Sequence, residues 1–228
     1  MLSLAKPPET APLSGKALSC KDMAKKTAEK IEATALELFN EKGVVNVRLQ
    51  HIADACGISV GNLAYHFYSK EALVLSLVKK IWEEQKILLA NYRAAPLFEH
   101  LDYILENKFR LQKTFSFFYL DSLELFRVFP KTRAYSQEQI RFQILQFEGM
   151  FLFNAARGAF VQGRDYKQLA RRFWQECDLW LYSRHLRGEE DLSCQAFKSD
   201  LWALLMPCFT PMGHEEYLQQ EQQHAGAL

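Results

Sequence analysis

The placement of proline limits this chain more than any other feature. Prolines stand at positions 7, 8, 12, 96, 130, 207 and 211, so residues 13–95, 97–129 and 131–206 contain none. Within those stretches apolar residues recur at helical spacing, and no stretch alternates as a strand would. Ala28, Ile31, Ala35, Leu38 and Phe39 form one stripe, with Gly43 as the stop behind it. Ile52, Ala53 and Cys56 form a very short second stripe ended by Gly57. Leu63 and Phe67 form a third behind Ser59, a cap residue. Ser69 then caps a long helix through Leu73, Leu77, Ile81 and Leu88 that ends before Pro96. Beyond Pro96 the spacing and the breakers at Pro130, Gly163, Gly188 and Pro207 predict helices over 97–111, 115–128, 131–162, 166–187 and 194–207.

The expected fold is therefore all-α: three short helices, a long connecting helix, and a larger helical bundle. The chain divides into a flexible N-terminal extension (1–22), a three-helix unit (23–75), a helical bundle (76–211) and a polar, Gln-rich tail that frays (212–228). Apolar residues make up 49% of the chain, which supports a packed core and excludes a mainly disordered protein. Residues 1–80 carry a net charge of +3 and residues 81–228 one of −2. That mild asymmetry permits nucleic-acid contact by the N-terminal third without requiring it.

Several function classes find no support. The five cysteines, Cys20, Cys56, Cys177, Cys194 and Cys208, make no Cys-x-x-Cys pair, and their odd number argues against a disulfide framework. Cys56 falls at a small helix-packing position and reads as buried structure. His51, His66, Cys56 and Cys177 lack metal-ligand spacing. A di-iron bundle needs two Glu-x-x-His motifs, and only Glu221/His224 fits. No Gly-rich phosphate loop and no Gly-x-Ser-x-Gly elbow occurs. No catalytic residue, metal or cofactor is expected, so the chain does not read as an enzyme. Every apolar run is broken by charge within a few residues, and 1–22 lacks the apolar run of a signal peptide. A soluble, cytoplasmic protein without a membrane partner is expected.

The segment from Gln50 to Leu63 has the grammar of a helix-turn-helix. A short helix stops at Gly57, Ile58 plugs the gap between helices, and Ser59 caps the next. Many helical hairpins share that grammar. In the second helix Leu63 and Phe67 face inward, so Gly61 and Tyr65 point away, flanked by Asn62 and Ala64. A mid-helix glycine costs roughly 1 kcal/mol relative to alanine. Its presence fits a backbone that must approach another surface, and a small, hydrogen-bonding face fits a major groove. Lys70 stands at the first position of a capped helix, where a cation opposes the helix dipole; a phosphate bound there would reverse that penalty. A solvated lysine partly offset by Glu71 would give the same sequence.

Residues 27–75 resemble the DNA-binding domain of the TetR/AcrR family. The likeness rests on Leu38-Phe39-Asn40-Glu41-Lys42-Gly43, on Ile52-Ala53 with Gly57-Ile58-Ser59, and on His66-Phe67-Tyr68-Ser69-Lys70-Glu71-Ala72-Leu73. The rest of the chain resembles the family in length and helical content alone. The resemblance implies that the helix from Ser59 is the recognition helix, with Val60, Gly61, Asn62 and Ala64 nearest the base edges. Tyr65, His66 and Lys70 would grip phosphates, and Arg48 and Gln50 would reach the backbone or a base. It also implies a homodimer on a near-palindromic double-stranded operator, a repressor's role, and a small, often apolar effector held in the C-terminal bundle. Two positions depart from the family pattern. Arg48 stands where a capping threonine is usual, so Asn46 is expected to cap instead. Ala64 stands where a tyrosine is common, leaving that contact to Tyr65.

For the dimer the expected face comprises Phe173, Trp180, Phe197, Leu201 and Leu204, on the last two apolar helices. The same stripes would also serve to complete a monomer core. The middle helices are rich in aromatics, and any one of them reads more readily as core than as pocket. Tyr103, Phe147 and Phe151 are the pocket candidates. The alternative function is a helical small-molecule-sensing or interaction module with weak DNA affinity.

Overall fold

The computed structural model describes residues 20–92 and 97–225. Their α-helices are α1 (Cys20–Lys42), α2 (Leu49–Cys56), α3 (Val60–His66), α4 (Lys70–Tyr92), α5 (Phe98–Thr114), α6 (Ser116–Leu120), α7 (Ser122–Val128), α8 (Pro130–Ala156), α9 (Tyr166–Arg187), α10 (Cys194–Leu205) and α11 (Pro211–Ala225). The described residues contain no strand, and Phe160 and Phe209 form an isolated antiparallel bridge. The fold is all-α, as the periodicity predicts. Most of the proposed extension, residues 1–19, lies outside the described residues, while Lys21 and Asp22 open α1.

The head consists of α1, α2, α3 and the first half of α4. Ile31, Phe39, Val47, Ile52, Ala53, Leu63 and Leu73 are fully excluded from solvent there. Each large side chain among them contributes about 1.5–3 kcal/mol of transfer free energy. Gly57 takes φ +67°, and its N–H closes α2 while Ile58 N–H returns to Ala53 O at 3.0 Å. That backbone reversal favours glycine, since L side chains rarely adopt it. Glu32, buried on α1, accepts from Ser76 and pairs with Lys80 at 2.6 Å, clipping α1 to α4. The periodicity did not reveal this polar clip.

The body is built on α8 and α9, with Phe147, Phe151 and Phe173 interleaved at ring-centroid distances of 5.0 Å and 5.3 Å. Its boundaries depart from the periodicity in two places. The stretch 115–128 breaks at Asp121 into α6 and α7. Phe117, Phe118 and Tyr119 are consecutive and all buried, which a straight surface helix cannot achieve because three residues sweep about 200°. α8 ends at Ala156, short of 162. The chain then turns at Gly158, and Val161 N–H donates to Cys208 O at 2.8 Å.

Two expectations are corrected by packing. The polar tail is not frayed over Pro211–Ala225, which forms α11. Tyr217 packs on Trp202 at 5.1 Å, and Glu216 pairs with Arg157 at 2.6 Å and accepts from Phe98 N–H at 3.0 Å. A Cβ at Gly213 would lie 2.2 Å from Ala159 O, so glycine there permits the close approach. The polarity of the segment hid these few anchoring residues. Similarly, Phe173, Trp180, Phe197 and Leu201 do not form a partner-facing surface, because each is buried within the single chain. Trp180 and Phe197 meet edge to face at 5.3 Å, and α9 and α10 turn these side chains toward α5 and α8. Leu204 alone of that set stays half-exposed. The outer face of α9 presents Leu179 and Leu186 instead.

Head and body meet through α1 and α6. Asn40 Nδ2 donates to Thr114 O at 2.9 Å, and its Oδ1 accepts from Phe117 N–H at 3.0 Å. The rings of Phe39 and Phe117 lie 5.6 Å apart beside this clamp. Farther along the seam, Glu71 accepts from Lys131 N–H at 2.8 Å, placing a carboxylate at the otherwise uncapped start of α8.

Candidate nucleic-acid interface

The site is the outward side of α3 with its flanks. Ser59 caps the helix by accepting from Asn62 N–H at 3.1 Å, and Leu63 anchors the inner side in the head core. Gly61, Asn62, Ala64 and Tyr65 are exposed, Tyr65 at 82%. Val60 and His66 are half-buried at the edges of that face, and the Tyr65 and His66 rings meet edge-on at 5.2 Å. A Cβ built at Gly61 meets only Ser59 Oγ at 3.8 Å, so nothing inside the protein requires glycine at this position. The surface is small, polar and aromatic, with an uncluttered backbone. Such a surface suits hydrogen bonding to base edges and phosphates.

The start of α2 lies beside it. Arg48 and Gln50 are exposed, Gln50 donating to Asp54 at 2.6 Å. Asn46 does not cap α2: its Nδ2 donates to Lys42 O at 2.8 Å and so closes the end of α1. Arg48 occupies the cap position of α2, and its backbone N–H donates to His51 Nδ1 at 3.2 Å. A guanidinium has no acceptor to offer the helix amides, so the side chain is left to solvent.

Lys70 opens α4, where Ser69 Oγ accepts from Ala72 N–H at 3.1 Å. Its ammonium donates to Val45 O at 3.3 Å, tying α4 to the turn after α1. Burial holds its pKa below the ordinary lysine value.

Residues 31–77 match the family model described as bacterial regulatory proteins, tetR family. Over these residues the chain is similar to the TetR family. It is 35% identical over 85 residues to the HTH-type transcriptional regulator UidR of Escherichia coli (strain K12), a match covering 37% of this chain and 42% of UidR. The chain thus spans less than half the length of that relative. Among solved structures, a TetR-family transcriptional regulator from Marinobacter aquaeolei VT8 superposes with a TM-score of 0.77 at 23% identity, over 86% of this chain and 98% of that one. A gamma-butyrolactone receptor (ArpA-like protein) superposes with a TM-score of 0.70 at 14% identity, over 90% and 99%. At these identities the two structures establish the fold.

Reasoning from the sequence overlooked two members of this head. Tyr68 is 75% exposed between α3 and α4, doubling the aromatic surface that Tyr65 begins. Its place outside either helix hid it from a periodicity argument. Lys30 donates to Cys56 O at 2.9 Å, stitching α1 to the end of α2 behind the site. Cys56 itself is buried. Among the described residues no group of three or more His, Cys, Asp or Glu could hold a metal ion, and no helix is long and apolar enough to cross a membrane.

Proposed function

We propose that this protein is a transcriptional regulator that binds a near-palindromic DNA operator as a homodimer through α3. In that reading it acts as a repressor relieved by a small-molecule effector in the body. The observation that carries the reading is the split character of α3: Leu63 is locked in the core while Gly61, Asn62, Ala64 and Tyr65 stand free beside it. Val60, Gly61, Asn62 and Ala64 would lie nearest the bases, with Tyr65, His66 and Lys70 toward the phosphates. Arg48, Gln50 and Ser59 would frame the approach. Lys70 would then hold its strand while still bonded to Val45 O, or exchange that carbonyl for a phosphate.

The domain division follows: a DNA-reading head over 23–75 and a sensing and dimerising body over 76–211, against which α11 docks. For the second copy we assign the face where α9 meets α10. Leu179, Tyr182, Leu186 and Leu204 line a groove of about 570 Å³ there, together with Arg172 and Glu176. Sedimentation velocity on wild type and Leu186→Glu tests this face; a dimer unaffected by the substitution rules it out.

Operator binding is tested by mobility shift on genomic fragments with a salt titration. Specific retardation that falls steeply with salt is expected from phosphate contacts. Absence of retardation at low salt would leave the fold as a sensing or interaction module instead.

A further inference from the structure

We propose that a cavity enclosed by α4, α6, α7, α8 and α9 receives a neutral, largely planar molecule that carries a carbonyl or similar acceptor oxygen. The four tryptophans differ in how their indole N–H groups are paired. Trp180 Nε1 donates to Asp200 at 2.7 Å, and Trp202 Nε1 donates to Asp102 at 2.9 Å. The indole N–H groups of Trp82 and Trp174 are buried without a hydrogen-bond partner, and both residues line this cavity. Trp82 is only 1% exposed, so water does not satisfy it from outside. Buried donors are almost always paired, and two unpaired ones beside a single space mark where an acceptor belongs.

The remaining polar wall points the same way. Tyr119 accepts from Gln85 Nε2 at 3.1 Å, which leaves its own O–H to donate. Burial and the neighbouring Asp178 carboxylate keep that phenol protonated. Asp178, the acidic side chain of the wall, is already paired with Lys108 at 2.8 Å. A bound carboxylate would face Asp178, and a bound cation would leave both indole donors unpaired and meet a carboxylate that Lys108 neutralises. A neutral acceptor satisfies the donors and disturbs neither charge. Phe118 and Phe126 supply aromatic surface for a planar body.

The cavity is about 60 Å³, so a ligand larger than a few atoms must enlarge it. Its outer wall includes half-buried Phe126 on the seven-residue α7, away from the α9 and α10 face assigned to the second copy. Trp82 sits on α4, the helix that begins in the head, so a ligand held by its N–H acts directly on the connecting helix. The inference deepens the sensing reading above by naming the effector's chemistry, and it rests on that reading for its regulatory consequence.

The test uses the full-length ¹⁵N-labelled protein and four probes of similar size: acetophenone, isopropylbenzene, benzoate and phenyltrimethylammonium. Indole ¹H–¹⁵N resonances are assigned with Trp82→Phe and Trp174→Phe. Acetophenone is expected to shift the Trp82 and Trp174 resonances saturably and to leave those of Trp180 and Trp202 in place. It should bind at least tenfold more tightly than isopropylbenzene, and each Phe variant should lose three- to tenfold of acetophenone affinity alone. If Trp82→Phe fails to fold, half-buried Trp174 carries the comparison. Absence of a saturable shift, equal binding of isopropylbenzene, or preference for either charged probe overturns the proposal. Operator binding is measured on the same samples without probe. Intact retardation with no indole response sinks the cavity assignment alone, and indole response without retardation sinks the operator reading alone.

Discussion

The head and the body treat buried polar groups in opposite ways. In the head, the core is apolar and its polar stitches are complete: Glu32 is matched by Ser76 and Lys80, and Lys30, Asn46 and Lys70 each meet a backbone carbonyl. Among the described residues, every buried side-chain nitrogen or oxygen without a hydrogen-bond partner lies at Trp82 or beyond. The body buries the Lys108–Asp178 pair, Gln85, Gln112 and Gln143, with acceptor atoms of Gln112 and Gln143 unmatched. A fully satisfied core favours one rigid arrangement, while an incompletely satisfied polar core is costly to keep without a purpose. Two helical units of one chain therefore differ in how completely their buried polar groups are paired, a difference that fits a rigid head and an adaptable body.

The largest effect should come from breaking the body's ion pair. Lys108 donates to Gln85 at 3.1 Å and pairs with Asp178, so it gathers α4, α5 and α9. Lys108→Ala strands a buried carboxylate and should cost about 3–5 kcal/mol in urea unfolding. The double variant Lys108→Met with Asp178→Leu should recover most of that loss. A loss below about 1 kcal/mol for the single variant would erase the contrast between the two cores.

Next in size is an effect confined to the head's surface. Asn62→Ala should weaken operator binding by about 1–3 kcal/mol and relax base preference, with the unfolding midpoint unchanged because Asn62 caps through its backbone alone. Lys70→Ala should weaken binding about equally across operator sequences and lower the salt slope by about one. It should also loosen the turn at Val45, a stability readout that Asn62→Ala lacks. Equal affinity for wild type and both variants in a mobility-shift titration would remove α3 from the interface.

Legibility in the sequence follows the same division. The head was readable because its order is local: caps at Ser59 and Ser69, a stop at Gly57 and apolar residues one turn apart all sit within a few positions of what they act upon. What escaped was set by contacts distant in sequence. Phe173, Trp180, Phe197 and Leu201 read equally as core or as a partner-facing stripe, because periodicity gives a buried side without saying what covers it. Tyr103 proved 54% exposed, whereas Phe147 and Phe151 lie in the packed core. The tryptophan pair was invisible, since nothing near Trp82 or Trp174 in the chain reveals which indole finds an acceptor.

A smaller effect separates folding from reading at one atom. Gly61→Ala meets no obstacle nearer than 3.8 Å, so it should stabilise the head by up to about 1 kcal/mol in thermal unfolding. If the α3 backbone approaches a duplex, the same methyl should weaken operator binding. A variant that is both more stable and tighter on the operator would show that the glycine serves no approach.

The smallest effect lies on the seam between the two units. Burial raises the Asp121 carboxyl pKa, outweighing the hydrogen bond from the Val44 backbone. With the folded pKa above the unfolded one, folding disfavours the ionised form. That penalty is absent below the unfolded pKa, grows as pH rises through the folded pKa, and is complete at neutrality. Asp121→Asn keeps an acceptor for Val44 and removes the charge, so it should stabilise the protein at pH 7 by a few tenths of a kcal/mol. The gain should shrink toward zero as pH falls through the carboxylate range. A gain that grows on acidification would have the wrong sign and would mean that ionised Asp121 holds head to body, making the seam an electrostatic latch rather than a packed joint of Asn40, Phe39 and Phe117.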